Sequence, residues 1–292
     1  MSNKDGVVLV DKEEGITSFQ VVKKVKKRLG VSKAGHAGTL DKAATGLLVI
    51  CINRATSIQE LLMRGDKRYL ACIGLGVQTD TLDRYGKIIK KAPVPPISDP
   101  QLDKVLEKFK GKIKQVPPAY SAIHQNGQRM YQRALKGEQL DISPRMVEIK
   151  EIRVVDRQHN RISMDTVVSK GTYLRSLARD LAHSLGTCGY LSGLRRISSG
   201  HFSVERACKL HQIDNFTPLI NVNEALSFLP RIEVNNQAAQ RISKGTPPSK
   251  VFEEGGPIIS MRGCIRIVCN GRLIAVVKNN GDLTYLRVFE GM

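Results

Sequence analysis

Apolar residues recur along this chain at two different spacings, and each spacing predicts one type of element. Apolar and polar residues alternate at every second position in 147–154 and again in 161–167, which predicts two neighbouring antiparallel strands. Mainly apolar runs at 6–10 and 67–76 predict two further strands. Strands therefore dominate the first two thirds of the chain.

Three segments carry apolar residues at helical spacing instead. The first follows Thr17 and Gln20, which have the spacing of a capping box, and Gly30 ends it. Its predicted buried positions are Phe19, Val22, Val25 and Leu29. The second helix is predicted on Leu102, Val105, Leu106 and Phe109, and the third on Leu174, Leu177, Ala178, Leu181 and Leu185.

The pattern changes beyond residue 230. Short β runs at 265–268, 273–277 and 285–289 alternate with turns rich in Gly and Pro. We therefore predict two domains, a large one at 1–230 and a small all-β one at 231–292.

The net charge of the chain indicates the class of partner that it binds. The chain has 46 Lys and Arg residues against 27 Asp and Glu, a formal net charge of +19. Such an excess favours a polyanionic partner, with nucleic acid first and an anionic membrane surface second. No stretch approaches the roughly 20 apolar residues of a membrane span. Six scattered cysteines and an amino terminus without the apolar core of a signal peptide indicate a cytoplasmic protein without a metal.

Two segments concentrate the positive charge. The first predicted helix carries Lys23, Lys24, Lys26, Lys27 and Arg28, which form either a solvated face or a surface for phosphates. The segment at 115–140 is polar, basic and dotted with tyrosines. It is either a mobile loop-and-helix insertion that closes on RNA or an ordinary surface hairpin.

Candidate chemistry centres on the glycine-rich stretch 35–50, which contains His36 and Asp41. On spacing alone, Asp41 caps a short helix or serves a site, and both interpretations stay open. Asp80 and Asp83 have the spacing of turn-capping acids, of acid–base partners or of metal ligands. In the third helix, Arg175 and Arg179 lie one turn apart beside the buried stripe, so at least one of them needs a carboxylate partner unless both snorkel to the surface.

Taken together, these blocks resemble the TruB family of tRNA pseudouridine synthases over most of residues 6 to 202. The matching segments are 10–12 with 15–18, 35–48 around Asp41, 67–69, 75–86, 117–137, 170–181 and 194–196. The resemblance implies an α+β fold: a mixed, largely antiparallel sheet with helices flanking a central catalytic cleft. Residues 231–292 are compatible with the small carboxy-terminal module of the family, which is often related to the PUA domain.

The resemblance also implies a reaction and its residues. The family isomerises one uridine in the T-loop of tRNA, at position 55, without a cofactor. Asp41 is then the nucleophile, Arg175 its partner, and Tyr69 a ring that stacks on the extruded uracil and a base for the C5 proton. Leu194 would press on the other side of the uracil, and His36 would fill the gap left by the flipped nucleotide. Lys12 and Tyr173 are further substrate-binding positions.

One residue departs from the family pattern, which usually has proline directly after the catalytic aspartate, where this chain has Lys42. The expected partner is the T-arm of tRNA, with no membrane and no obligate protein partner, and the expected state is a monomer. Two alternatives stay open: a catalytic subunit that depends on a guide RNA, and a non-catalytic protein that binds RNA or helps tRNA to fold.

Overall fold

The computed structural model of the chain describes residues 4–120, 124–125, 128–129, 142–252 and 257–289. Its helices are α1 (Ser18–Leu29), α2 (Gln59–Leu62), α3 (Asp99–Glu107), α4 (Leu174–Ser184), α5 (Val222–Ala225), α6 (Asn236–Ser243), α7 (Pro248–Val251) and α8 (Pro257–Ser260). Short 3₁₀ turns cover Asn53–Ile58, Val204–Arg206 and Leu210–Gln212.

The strands follow the predicted alternation closely. They are β1 (Gly6–Lys12), β2 (Ala34–His36), β3 (Thr45–Ile52), β4 (Lys67–Leu75), β5 (Val77–Thr79), β6 (Ile88–Lys91), β7 (Gly111–Gln115), β8 (His124–Gln125), β9 (Gln128–Arg129), β10 (Arg145–Gln158), β11 (Arg161–Val168), β12 (Gly189–Ser199), β13 (Phe202–Ser203), β14 (Cys208–Lys209), β15 (Arg231–Glu233), β16 (Gly263–Cys269), β17 (Arg272–Asn279) and β18 (Leu283–Val288).

Most of these strands join one large sheet. Its order is β14-β1-β3-β12-β4-β11-β10-β7, with β2 added beside β3 and β13 beside β12. Within this sheet, β1 runs parallel to β14 and β3 parallel to β12, and the other described pairs are antiparallel. The predicted mixed, largely antiparallel sheet is therefore confirmed.

One face of the large sheet carries the longer helices, and we call it the helical face. Val8, Val10, Ile50 and Ile73 point from the strands into a core that also contains the apolar sides of α1, α3 and α4. Because side chains alternate between the two faces of a strand, Lys12 on β1 and Tyr69 on β4 belong to this face too. Both of these positions are predicted site residues.

The opposite face packs partly against the carboxy-terminal part of the chain. Val7, Leu9 and Val49 from the large sheet share a core cluster with Val276 and Phe289. A second, four-stranded sheet in the order β15-β16-β17-β18 supplies most of the carboxy-terminal side of this contact. The two sheets are thus held together by a continuous apolar layer.

The first helix forms as its caps predict, but its buried side is displaced by one position. Thr17 and Gln20 form the capping box, and Gly30 ends the helix in the left-handed region at φ 64°. The buried residues are Ser18, Val21, Val25 and Leu29, whereas Phe19 is 74% exposed and Val22 is half-buried. The prediction that Phe19 is buried was wrong, because the hydroxyl of Ser18 finds backbone partners inside and takes that place. Val22 packs partly buried against the core, and Val25 and Leu29 are buried as predicted.

Two further predictions need correction or lie outside the described residues. The segment 194–196, one of those that match the family, lies within the long strand β12. The carboxy-terminal part is not all-β, since α6, α7 and α8 accompany its sheet. The predicted loop-and-helix insertion falls mainly outside the described residues, apart from its start and the strands β8 and β9.

Candidate active site

The loop between β2 and β3 carries Asp41. The backbone N–H of Ala44 donates to the carbonyl oxygen of Asp41 at 3.1 Å, which closes a turn immediately after the carboxylate-bearing residue. Leu40 is held by the Ser18 hydroxyl of α1, which accepts from its N–H and donates to its carbonyl oxygen, both at 2.9 Å. The first turn of α1 therefore fixes the residue directly before Asp41.

Arg175 of α4 is the partner of Asp41. Its Nε lies 2.9 Å from Oδ2 of Asp41, and the side chains are 8% and 43% exposed respectively. The other two guanidinium nitrogens donate to the carbonyl oxygens of Thr81, at 3.0 Å, and Tyr120, at 2.9 Å. All three nitrogens are thus engaged, so that the buried guanidinium holds a half-exposed carboxylate in one orientation.

The second arginine of this helix has a different role. The Nε of Arg179 bonds to the neighbouring Asp180 at 2.7 Å, and its Nη2 donates to the carbonyl oxygen of Val116 at 3.3 Å. The expectation that one of the two arginines needs a carboxylate from another part of the chain is therefore met by Arg175.

Tyr69 and Leu194 lie on adjacent strands of the helical face. In the register of β4 and β12, Leu194 is opposite Ala71, and Tyr69 is opposite Arg196. Tyr69 packs in the same core cluster as Leu40, Ala44 and Leu174, and Leu194 packs against that cluster. Leu40 precedes Asp41 and Leu174 precedes Arg175, so Tyr69 shares a core with the segments that carry the ion pair, and Leu194 lines a depression together with Asp41.

A shallow cleft runs past these residues. Asp41, Ala44, Gly193 and Leu194 line a small depression. Ala43, Leu194 and Arg84 line a larger adjoining groove of about 350 Å³. Asp41 therefore lies beside a groove large enough to admit part of a ligand.

Lys12 is a buried cation near Asp41. Its ammonium donates to the carbonyl oxygens of Glu13, at 2.9 Å, and Ile16, at 2.8 Å. Burial lowers the pKa of Lys12 to about 8, although the charge of Asp41 acts in the opposite direction. Lys12 thus adds positive charge beside Asp41 and is more easily deprotonated than a surface lysine.

His36 and Tyr173, two further predicted substrate-binding residues, lie at the ends of elements connected to the site residues: His36 ends β2, and Tyr173 precedes α4. His36, the last residue of β2, has a buried Nδ1 without a hydrogen-bond partner among the described residues. Burial, and then the charge of Arg196, lower the pKa of His36, which favours the neutral ring. Tyr173 precedes α4, where its backbone N–H and carbonyl oxygen both bond to the side-chain amide of Gln115.

Arg196 organises the Asp41 loop, a role that the sequence did not suggest. It is 1% exposed. Its guanidinium donates to the carbonyl oxygens of Leu47, Gly38 and Thr39 at 2.7, 3.0 and 3.4 Å. A Cβ at Gly46 would lie 2.3 Å from the carbonyl oxygen of Arg196, so glycine is required for this close approach. In the sequence, this arrangement is reflected only in two glycines of the Asp41 loop, Gly38 and Gly46, and in two adjacent arginines, 195 and 196, some 150 residues later.

Lys42, which stands where the family usually has proline, holds its turn through contacts with two other loops. Its carbonyl oxygen accepts from the N–H of Gly15 at 3.0 Å, and its ammonium lies 5.5 Å from the centroid of the Tyr85 ring. The Tyr85 hydroxyl donates in turn to Glu14 at 3.0 Å. A cation–π contact therefore links the turn to the loop at 80–86.

The paired acids Asp80 and Asp83 have structural roles. Asp80 accepts from the backbone N–H groups of Thr81 and Lys87, both at 2.8 Å, and Asp83 accepts from the Thr81 hydroxyl at 2.7 Å. These bonds shape the loop whose Thr81 carbonyl oxygen binds Arg175. In the described part of the chain, no group of three or more His, Cys, Asp or Glu residues has the arrangement of a metal site.

Comparison with known proteins identifies the family. The model for the amino-terminal domain of TruB family pseudouridylate synthases matches residues 26–174, and that for the carboxy-terminal domain of tRNA pseudouridylate synthase B matches residues 175–227. The chain belongs to the TruB family of pseudouridine synthases. The family and the enzyme class predicted from the sequence, an isomerase, are therefore confirmed.

Curated relatives match over most of their length and carry the name tRNA pseudouridine synthase B. The protein from Francisella philomiragia is 42% identical over 216 residues, which cover 74% of this chain and 72% of that protein. The one from Caldanaerobacter subterraneus is 39% identical over 243 residues, which cover 82% of this chain and 85% of that protein.

Solved structures agree on the fold. A structure of an H/ACA RNP bound to a substrate RNA containing 2′-deoxyuridine has a chain that superposes with a TM-score of 0.70 at 22% identity, covering 94% of this chain and 77% of that one. None of the described helices is long and apolar enough to cross a membrane.

Proposed function

We propose that this enzyme isomerises a uridine in the T-loop of tRNA, at position 55, to pseudouridine, with Asp41 as the nucleophile. The observation that carries the proposal is the half-exposed Asp41 carboxylate, held by the buried Arg175 at the edge of the groove. The tRNA synthase relatives support tRNA as the substrate. The proposal includes no cofactor, no obligate protein partner and a cytoplasmic monomer, as the family resemblance implies.

The reaction exchanges one bond of the nucleoside for another. The N1–C1′ glycosidic bond breaks, the uracil turns, and a C5–C1′ bond forms, while C5 loses a proton and N1 gains one. The Asp41 carboxylate attacks either C1′ or C6, and the covalent adduct divides one difficult substitution into two easier steps. Both routes need an ionised carboxylate with a fixed direction.

In our proposal, Arg175 and Lys12 keep the Asp41 carboxylate ionised, and Arg175 fixes its direction. The Arg175 guanidinium is immobilised by two carbonyl oxygens besides Asp41, so it keeps the carboxylate aimed without rearranging during the reaction. Lys12 adds a second positive charge from the buried side. Nearby positive charge favours the ionised form of a carboxylate.

The rings and apolar groups around the pair would hold the base. Tyr69 offers an aromatic face for stacking and a phenol that can accept the C5 proton. Leu194, on the neighbouring strand of the same face, would press on the other side of the uracil. Tyr173 would contact the substrate from the start of α4.

A base inside a folded RNA loop has to leave its stack before Asp41 can reach it. Such flipping costs a few kcal/mol of lost stacking. His36, with a neutral ring favoured by its surroundings, would enter the space that the nucleotide leaves.

The test is the release of tritium from C5-labelled uridine in an unmodified tRNA transcript, with the purified protein and no guide RNA. We expect release by the wild type, no detectable release by Asp41→Asn, and near wild-type release by Asp180→Asn. The last variant is a matched control, because Asp180 is also paired with an arginine of α4.

The outcomes separate function from mechanism. No release by the wild type would contradict the proposed function, and release only after addition of a guide RNA would favour a guide-dependent enzyme. Release by the wild type and by Asp41→Asn alike would exclude Asp41 as the nucleophile. A transcript with cytidine at position 55 should release nothing if the position is correct.

A further inference from the structure

The outward face of α1 carries positive charge that the fold itself does not use. Lys23, Lys24, Lys26 and Lys27 are exposed, and the helix has no acidic residue in its first turn. Among the described residues, no carboxylate lies within ion-pair distance of these four lysines. Since like charges one turn apart repel, this arrangement weakens the helix unless something anionic lies against it.

Several other cations of the protein form ion pairs with carboxylates. Arg68 and Arg153 share the carboxylate of Asp165, at 2.6 and 2.8 Å. Arg195 and Lys209 share that of Asp11, at 3.0 and 2.8 Å. These four cations have carboxylate partners, unlike the lysines of α1.

An exposed aromatic ring lies on the same face. Phe19 is 74% exposed. Residues four, seven and eight positions further along a helix share its face, and these are Lys23, Lys26 and Lys27. An exposed phenylalanine among lysines offers a stacking surface beside phosphate-binding charges, a combination found where proteins hold nucleic acid strands.

The position of this face relates it to the catalytic centre. Ser18, the residue before Phe19, makes two hydrogen bonds to Leu40, the residue before Asp41. At the other end of α1, Arg28 donates to the carbonyl oxygen of Leu210, which fixes the helix against the loop that follows. The face therefore begins beside the Asp41 turn and leads away from it along a rigidly held helix.

We propose that the face formed by Phe19, Lys23, Lys26 and Lys27 binds the backbone of the substrate RNA beside the target nucleotide. This rests on the proposed function and adds a binding surface to it. The lysines contact phosphates of the RNA arm that leads into the cleft, and Phe19 packs against a nucleotide next to the flipped one. The face contributes to binding and not to the chemical step.

The first experiment neutralises the lysines. The variant Lys23→Gln/Lys26→Gln/Lys27→Gln should raise KM for the tRNA about tenfold or more, with kcat within about twofold of the wild type. Each lost phosphate contact should lower the slope of log K against log salt concentration by about 0.7–0.9, so the slope should fall by about 2 to 3. Lys104→Gln/Lys108→Gln/Lys112→Gln removes the same charge from exposed positions on and after α3 and should change KM less than twofold.

The second experiment separates the ring from the charges. Phe19→Leu should raise KM several-fold at unchanged salt slope, whereas Phe19→Tyr should retain the wild-type KM. Because all these side chains are exposed, circular dichroism should match the wild type, and the thermal unfolding temperature should be no lower, since removing like charges relieves repulsion on the helix.

Several results would overturn the proposal. An unchanged KM and salt slope in the triple lysine variant, with wild-type enzyme that is active on tRNA, would refute the surface and leave the proposed function intact. Equal changes of KM in the triple variant and in the α3 control would show that tRNA binding depends on the net charge of the protein and not on this face. If vesicles containing phosphatidylserine bind the wild type but not the triple variant, while tRNA kinetics stay unchanged, the face is a membrane surface instead.

Discussion

Three buried cations surround one half-exposed carboxylate at the centre of this protein. Lys12, Arg175 and Arg196 are each at most 6% exposed, and each donates to backbone carbonyl oxygens. Carbonyl groups satisfy the hydrogen-bond donors of a buried cation without cancelling its charge. Backbone carbonyl oxygens thus help to hold these cations in place while leaving their positive charge uncancelled.

The first prediction concerns the charge of Lys12. Since its pKa is about 8, the ammonium beside Asp41 loses its proton as the pH rises through that value. We expect kcat to fall above about pH 8 in the wild type, and Lys12→Met to have a lower kcat without this alkaline decline. The measurement is kcat for tritium release between pH 6 and 10.

Lys67 provides the control, because burial lowers its pKa to about 8 as well. Lys67→Met should keep the alkaline decline, and its loss in this variant would assign the titration to Lys67 instead.

The burial of Lys12 also makes the stability of the protein depend on pH. Its pKa in the folded chain lies below the usual 10.5, so the unfolded chain binds more protons between about pH 8 and 10.5. The burial penalty of Lys12 is thus present below pH 8 and is relieved as the pH rises through this window.

Sequence reasoning reached some of these residues and missed others for a physical reason. Asp41 and Arg175 could be singled out through the resemblance to the family, because spacing alone left a helix cap open for Asp41 and a surface position open for Arg175. Arg196 could not, because its burial depends on the register between β12 and β4, which no local pattern specifies.

At the level of elements, the loop between β2 and β3 depends on β12 for its shape. Arg196 holds three carbonyl oxygens of the segment from Gly38 to Leu47, and Gly46 allows the two backbones to meet. Strand β12 also carries Leu194, so one strand provides both an apolar wall of the groove and the support of the catalytic turn.

This arrangement predicts a sharp difference between neighbouring arginines. Arg196→Met leaves three carbonyl oxygens without their donor, so we expect a loss of about 3 kcal/mol in the free energy of unfolding. It should lower kcat about 10- to 100-fold with little change in KM, and Arg196→Lys should restore part of kcat. Urea unfolding and steady-state kinetics measure these quantities.

The control variant is Arg195→Met. This neighbour lines the groove beside Leu194 and pairs with Asp11, which Lys209 also neutralises. Its kcat should stay within about threefold of the wild type. Equal losses of kcat in both variants would show that Arg196 has no particular effect on the catalytic turn.

Helix α1 shows why the elements were easier to predict than their buried sides. Its caps lie in the local sequence, so both ends were predicted correctly. Its buried side was not, because Phe19 is more apolar than Ser18, and only the tertiary bonds of Ser18 to Leu40 place the serine inside.

At the scale of the whole molecule, the two sheets share one apolar layer. Val7, Leu9 and Val49 on the large sheet pack in the same cluster as Val276 and Phe289 near the end of the chain. Arg266 of β16 adds hydrogen bonds to the carbonyl oxygens of Asn223 and Leu229, which lie before the predicted boundary at 230. The change in composition that suggested this boundary gave no indication of such a shared core, because it is formed by residues far apart in sequence.

We therefore expect the fragment 1–230 not to be stable alone, since Val7, Leu9 and Val49 would be exposed to water. The full chain should unfold in a single thermal transition, and the fragment should aggregate or unfold at least 10 °C lower. Calorimetry and size-exclusion chromatography test this expectation. A monomeric fragment with the melting temperature of the full chain would instead support two independent domains.

The contact between Lys42 and Tyr85 has a consequence for how the catalytic turn becomes rigid. Proline restricts the backbone in the unfolded chain as well as in the folded one, so a prolyl turn loses little entropy on folding. Lysine leaves the unfolded chain free, and the order of the turn has to come from Gly15, Glu14 and Tyr85 after folding. The rigidity of the Asp41 turn is thus a collective property of three loops, and it decreases when any one of them detaches.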